Sequence, residues 1–385
     1  MTANTAPNKS LAATQLPAPR PAILHMPEYH PPLAHRDALR LDFNENTLAP
    51  SPKVLEAVRA LTAESFTKYP EREPMEIKVA AYLNLDHKQV ILTNAVDEAI
   101  HLIAFTFLNI GDEAIVATPS FFMYDVAIGS MGATLTRVQA DDSLIFPFDR
   151  FLAAITSQTK LIILSTPNNP TGTTLTRAQI HTIAKAAPQA VIFVDEAYFH
   201  FFGETVLNDL DLFPNILVAR TFSKVYGLAN LRIGLIAGHA DLVKHIRKAA
   251  SPYNVNGVAI AALDAALTDD AYVNWYADQI RAGREQMAAG IAALNVPQWP
   301  SHANFILMRI GKLHKEFVLA MKSHGVLVRD RSTDPGLEGC VRITIGPTDH
   351  VAKGLAALKQ SLLDINWKLD PPTAPATSTE EPEYE

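Results

Sequence analysis

The chain has 385 residues, with 33 Lys and Arg against 40 Asp and Glu, and a formal charge of −7. Hydrophobic residues make up 48% and charged residues 19%, a balance that supports a large core and excludes a mostly disordered chain, a coiled coil or a disulfide scaffold. The absence of a basic excess argues against nucleic acid as a partner, and the single cysteine, Cys340, supports neither an intrachain disulfide nor a thiolate metal cage.

Residues 1–36 carry seven prolines, which excludes a long helix or a central strand there and predicts a flexible or surface-wrapping arm. The start has no basic stretch followed by an apolar run, so no secretory signal is expected. The longest strongly apolar stretch, 99–110, is about 12 residues long and suits a buried helix rather than a membrane span. A cytoplasmic chain without membrane contact is the expectation. Short apolar runs at 89–92, 113–117, 161–164, 191–194, 216–219 and 233–237 read as strands buried on both faces. Helical patterns such as 98–108 and 177–187 separate several of them. This alternation predicts an α/β domain with a mainly parallel central sheet flanked by helices. Further on, 275–294 reads as one long helix, 305–309, 326–328 and 341–345 as strands, and 350–363 as a closing helix. This C-terminal third is expected to be a second, smaller α/β domain. The tail from 370 is rich in Pro, Thr and Glu and is expected to be disordered.

In parallel sheets ligands sit beyond the carboxyl ends of the strands, so the polar residues just past each apolar run are the candidates. After 216–219 come Thr221, Ser223, Lys224 and Arg232. A lysine near an arginine and beside apolar residues has its ammonium form disfavoured, and such a lysine forms Schiff bases with carbonyls. Alone, the Ser-Lys pair reads rather as a solvated loop with capping hydroxyls. Asp195 ends the apolar run 191–194 and suits a protonated pyridine nitrogen, with Tyr198 three residues on as a donor to a phenolate oxygen. Alone, it reads as a helix cap with a core tyrosine. Asn168 and Asn169 follow 161–164 in a stretch that otherwise means a tight turn. Ala95, Val96 and Asp97 stand at a helix start whose N–H groups suit a phosphate, or merely an acidic first turn. The 13 histidines show no metal-ligand spacing, and no metal is expected.

Asn169, Asp195 and Lys224 follow one another at spacings of 26 and 29 residues, about one strand–helix unit each. In combination the chain resembles the fold-type I pyridoxal-phosphate enzymes of aminotransferase class I/II, and among them the histidinol-phosphate aminotransferase family. The resemblance covers about residues 38–365. It is carried by NEN at 44–46, VDE at 96–98, PNNPTG at 167–172, DEAY at 195–198, RTFSK at 220–224 and GCVRITIG at 339–346.

The resemblance implies that Lys224 binds pyridoxal 5′-phosphate covalently and then moves the substrate proton. It implies that Asp195 pairs with the ring nitrogen, that Asn169 and Tyr198 bond the phenolate oxygen, and that Phe121 stacks on the ring. Ala95, Val96, Asp97, Thr221, Ser223 and Arg232 would hold the phosphate, joined by Tyr69 from the neighbouring subunit of a homodimer with shared sites. Ala95 and Val96 depart from the Gly and Ser that relatives often carry, and Phe121 from a tyrosine. Arg342 matches the grip on the substrate α-carboxylate, with Asn169 beside it, and Arg329 the contact to a substrate phosphate, with Arg331 as a competitor. The implied partners are an amino donor and a 2-oxo acid. The implied division is 1–36 arm, 37–61 and 261–367 small domain, 62–260 large cofactor-binding domain, and 368–385 tail. The implied activity is transfer between L-histidinol phosphate and 2-oxoglutarate. An aromatic amino acid aminotransferase, a threonine-phosphate decarboxylase and a non-enzymatic regulator are the competing readings.

Overall fold

The computed structural model describes residues 17–24, 26, 28 and 37–368. Most of the proline-rich arm, and all of the tail after Lys368, lie outside these residues. Of the arm, Pro21–Leu24 form a single helical turn, and the Arg20 guanidinium donates to the Ser130 carbonyl at 2.7 Å. Among the described residues no helix is long and apolar enough to cross a membrane.

Twelve strands occur among the described residues. They are β1 (Leu39–Arg40), β2 (Val90–Thr93), β3 (Glu113–Thr118), β4 (Thr134–Gln139), β5 (Thr159–Ser165), β6 (Val191–Asp195), β7 (Ile216–Thr221), β8 (Gly234–Gly238), β9 (Phe305–Arg309), β10 (Val326–Leu327), β11 (Arg329–Asp330) and β12 (Cys340–Thr344). Seven of them form one sheet in the order β2-β8-β7-β6-β5-β3-β4. Strands β3 to β7 run parallel. The period-2 alternation sorts their side chains to two faces. Ile162, Leu164, Ile192, Val194, Ile216 and Val218 join one apolar cluster, and Leu161, Ile163, Val191, Phe193, Leu217 and Ala219 the other. Helices such as Ala95–Phe107 and Arg177–Ala186 cover the sheet.

Two features of this sheet depart from the expectation. Strand β4 was not anticipated, because it is a half-exposed edge strand with a polar sequence rather than an apolar run. Strand β8 runs antiparallel to both of its neighbours. A parallel return needs a crossover of a dozen or more residues, usually a helix. Between Thr221 and Gly234 there is only the short turn Ala229–Leu231, so the chain comes straight back. That return loop carries Ser223, Lys224 and Arg232.

The C-terminal part holds a three-stranded antiparallel sheet, β11-β12-β9, and a two-stranded parallel pair, β1-β10. The strand expected at 326–328 is the shorter β10, and a second short strand, β11, follows it and pairs in a different sheet. The long helix spans Asp270–Ala293 and starts five residues earlier than expected, where Asp269 caps it. The boundary expected at 260/261 falls inside the helix Gly257–Ala266, and a continuous helix is not a linker.

Immediately past β6, Glu196 and Arg220 of β7 form a buried ion pair, with Arg220 Nε and Nη2 donating to Glu196 Oε2 at 3.0 and 2.8 Å. The guanidinium also lies 3.7 Å from the Phe199 ring centre. Thr205 Oγ1 and the Val206 N–H complete the carboxylate's partners. Glu196→Ala leaves this arginine buried without its counter-ion. It should lower unfolding stability by about 3–5 kcal/mol, read by chemical denaturation; a loss within the ordinary surface range of about 1 kcal/mol or less would contradict this.

Candidate active site

The ladder register brings most of the candidate residues to one edge of the sheet. Gly234 pairs with Thr93 on one side and with Thr221 on the other. The helix Ala95–Phe107, the turn after β7 and Arg232 therefore meet there. The N–H groups of Ala95, Val96 and Asp97 lie in the first helical turn, where no intrahelical acceptor exists, and Asn94 makes no side-chain cap. Ala95 and Arg232 hold φ of +63° and +52°, a region that costs an L-residue about 1–2 kcal/mol. A Cβ on Gly234 would come within 3.0 Å of the Ala95 carbonyl carbon and 3.1 Å of the Val96 nitrogen, so the helix start is pressed onto the strand. Arg232 is ion-paired with Asp97, and the Ser223 N–H donates to Thr221 Oγ1 at 3.0 Å. Open N–H groups beside a guanidinium make a cradle for an anion.

Asp195 ends β6 beside Ser165 and Ala219 and is 5% exposed. Its carboxylate accepts from the Tyr124 hydroxyl at 2.8 Å and the Ala197 N–H at 3.0 Å, both neutral donors. Burial pushes its pKa up to about 6. Tyr198 is also buried. Burial raises its pKa, which keeps the phenol a neutral donor. Its ring meets Phe305 edge-on with centroids 5.2 Å apart, and its hydroxyl accepts from Asn44 Nδ2 at 3.0 Å.

Lys224 sits in the return loop between β7 and β8. Its Nζ donates to the Phe43 carbonyl at 3.3 Å and lies 5.8 Å from the Tyr198 ring centre. Burial, and then the positive charge of Arg342, lower its pKa to about 8. An amine in this range is partly neutral near physiological pH and therefore nucleophilic.

Arg342, on β12, is 5% exposed. Its Nη1 donates to Asn169 Oδ1 and its Nη2 to the Asp42 carbonyl at 2.8 Å, while Nε has no partner. Burial, and then the charge of Arg331, bring its pKa down to about 9. A buried cation held by neutral acceptors favours a carboxylate, which a guanidinium fork binds through paired hydrogen bonds. Arg329 stands directly opposite Arg342 in the ladder, with its guanidinium 5.5 Å from the Phe43 ring centre. Arg331, two residues on, is ion-paired with Asp334, so its charge is already matched. Asn168 is committed elsewhere, accepting from Ser120 Oγ at 2.8 Å and donating to the Pro119 carbonyl at 2.9 Å.

Phe121 is partly buried with its ring edge-on to Tyr124, centroids 5.8 Å apart, beside the residue that holds Asp195. Tyr69 is not brought to the site within one protomer. It is 77% exposed and stacks on Tyr253 with centroids 4.3 Å apart. Nothing in the sequence marks Asp42 or Phe43, and Tyr124 stands there only at the end of the stretch 119–124, without a role. Asn44 is there only as part of a motif, also without a role. Nothing local marks these residues, since their partners lie 71 to 300 positions away along the chain. Together the groups offer a nucleophilic amine, a carboxylate ready for a cation, an anion cradle and a buried guanidinium, with Arg329 beside it, for an anionic substrate.

Comparison with known proteins agrees with this chemistry. The family model described as aminotransferase class I and II matches residues 36–358. Histidinol-phosphate aminotransferase 1 of Thiobacillus denitrificans is 35% identical over 86% of this chain and 87% of its own. The histidinol-phosphate aminotransferase of Caldanaerobacter subterraneus is 33% identical over 76% and 83%. Among solved structures, histidinol-phosphate aminotransferase from Sinorhizobium meliloti, in complex with pyridoxal-5′-phosphate, superposes with a TM-score of 0.83 at 24% identity, covering 92% of this chain and all of that one. Aspartate aminotransferase from Thermus thermophilus with maleate gives 0.73 at 22%, covering 85% and 92%.

Two titrations test the site in protein stripped of small molecules. Modification of Lys224 by an aldehyde with reductant should have its midpoint near pH 8 rather than 10.5, followed residue by residue by mass spectrometry. Asp195 has a raised folded pKa, so its charged form is disfavoured in the native state. Its cost is absent below the unfolded value of 3.8 and complete above about 6. Asp195→Asn should therefore stabilise the stripped protein at neutral pH. The gain should fade as pH falls through this window, as thermal unfolding at a series of pH values would show.

Proposed function

The chain belongs to the class I and II aminotransferase family, and from that premise we propose that it is a pyridoxal 5′-phosphate-dependent enzyme exchanging an amino group between L-histidinol phosphate and 2-oxoglutarate, in histidine biosynthesis. The residues fit this cofactor. Asp195 is a buried carboxylate with only neutral donors, suited to a protonated ring nitrogen. The open N–H groups of Ala95, Val96 and Asp97, with Thr221, Ser223 and Arg232, suit its phosphate. Asn169 and Tyr198 would bond its phenolate oxygen, and Phe121 would offer an aromatic face. When bound, the cofactor supplies an aldehyde that amines exchange on and a ring that withdraws electrons from the substrate Cα.

Lys224 holds the cofactor between turnovers. With the cofactor and substrate bound, its freed Nζ would take the Cα proton as a base, a task matched to a pKa near 8. Asp195 keeps the ring nitrogen charged. Arg342 binds the α-carboxylate of 2-oxoglutarate and glutamate, with Asn169 fixing the fork. Arg329 binds the phosphate of the amino donor. The observation that carries the substrate reading is this pair of arginines, opposite each other on β11 and β12. The exposed Tyr69, on its stack with Tyr253, is offered to the phosphate of a second copy's cofactor. The active unit is then a homodimer with shared sites, working in the cytoplasm.

The purified protein should be yellow with pyridoxal phosphate, lose that colour on adding histidinol phosphate, and regain it with 2-oxoglutarate. Lys224→Ala should abolish the exchange. Arg329→Ala should lower kcat/KM for histidinol phosphate by about 10- to 100-fold, the value of a hydrogen-bonded charge pair, and leave any aromatic amino acid turnover nearly unchanged. Turnover of aromatic amino acids in preference to histidinol phosphate would favour the aromatic aminotransferase reading. Carbon dioxide release without a 2-oxo acid would favour the decarboxylase.

A further inference from the structure

Resting on this cofactor assignment, we infer that Asn44 is a positioning residue that aims the Tyr198 hydroxyl proton into the site, and so sets the charge balance at the cofactor's phenolate oxygen. Three consecutive residues before the larger sheet touch three functional groups. The Asp42 carbonyl takes Arg342, the Phe43 carbonyl takes Lys224, and the Asn44 side chain meets Tyr198.

The orientation of the Asn44 amide follows from its partners. Thr344 Oγ1 accepts the Asn44 backbone N–H at 3.0 Å, which leaves the threonine's own proton for Asn44 Oδ1 at 3.2 Å. With Oδ1 so occupied, Nδ2 is the group that faces the Tyr198 oxygen, 3.0 Å away. An amide NH2 only donates, so the tyrosine oxygen accepts there and cannot return its proton in that direction. Asn304 Nδ2 donates to the Asn44 carbonyl at 3.1 Å and fixes the backbone. Asn44 has φ +55° and is 1% exposed, in a region asparagine tolerates better than most residues. Phe305 holds the tyrosine ring edge-on. The hydroxyl proton is left to point into the pocket.

A donor at the phenolate oxygen stabilises its negative charge most when the neighbouring nitrogen, shared by Lys224 and the cofactor, is neutral. Loss of the donor favours the protonated nitrogen and moves its titration to higher pH. The test is the pH titration of the visible absorbance in the full-length holoenzyme. Asn44→Gly keeps the positive φ without strain and should raise the midpoint by about half a unit to one unit. Tyr198→Phe should raise it at least as much. Adding Asn44→Gly to Tyr198→Phe should cause no further shift, because Asn44 acts through that hydroxyl. An unmoved midpoint in Asn44→Gly, or additive shifts in the double variant, would overturn the inference. Should Asn44→Gly fail to fold, the isosteric Asn44→Asp replaces it. Its carboxylate draws the tyrosine proton away, so the midpoint should again rise, and an unmoved midpoint overturns the inference. A native protein showing no Lys224-dependent absorbance with pyridoxal phosphate removes the cofactor assignment and this inference together. A normal native spectrum with an Asn44-independent midpoint removes this inference alone.

Discussion

The structure is organised around buried charges whose hydrogen bonds go to neutral groups. Asp195 is met by a phenol and a peptide N–H, Lys224 by a carbonyl, and Arg342 by an amide and a carbonyl. An uncompensated ion in a protein interior is expensive, so these groups persist only because the surrounding fold holds them there. The ladder register fixes Asp195, the three-stranded sheet fixes Arg342, and the return loop fixes Lys224. The same lack of compensation gives them their chemistry. A ligand with a cationic ring nitrogen and an anionic phosphate, and a substrate with a carboxylate, supply the missing charges.

By contrast, the carboxylate next to Asp195 is fully matched. Glu196 has Arg220, Thr205 and a backbone N–H as partners. Two adjacent acids therefore divide the work. One anchors the ends of β6 and β7, and the other faces the pocket with its charge available. The arginines divide in the same way. Arg331 is committed to Asp334, whereas Arg342 is held ready by neutral acceptors.

Most of the large sheet was legible because its strands are buried on both faces and therefore read as unbroken apolar runs. The polar residues that end those runs, Asp195 and the turn after Thr221, were legible for the same reason. What the sequence hid has physical causes. Strand β4 lies at an edge and needs no apolar run. The direction of β8 depends on the length of the loop before it, not on its own residues. The stretch 326–330 changes partner sheets within five residues, which no periodicity records. Asn44 and Tyr124 gain their roles from contacts 154 and 71 residues away. Arg329 and Arg331 share a strand-like stretch, and only the ladder register places Arg329 opposite Arg342.

The return loop between β7 and β8 is clamped at both ends by ladder pairs, Thr221 with Gly234 and, beyond it, Arg220 with Leu235. Its span is thus fixed by the sheet itself. Substitutions inside 222–233 can retune the amine, but lengthening or shortening the segment would displace Lys224 from the carboxylate one strand away. Diversification of this scaffold is therefore expected to spare the size of this loop.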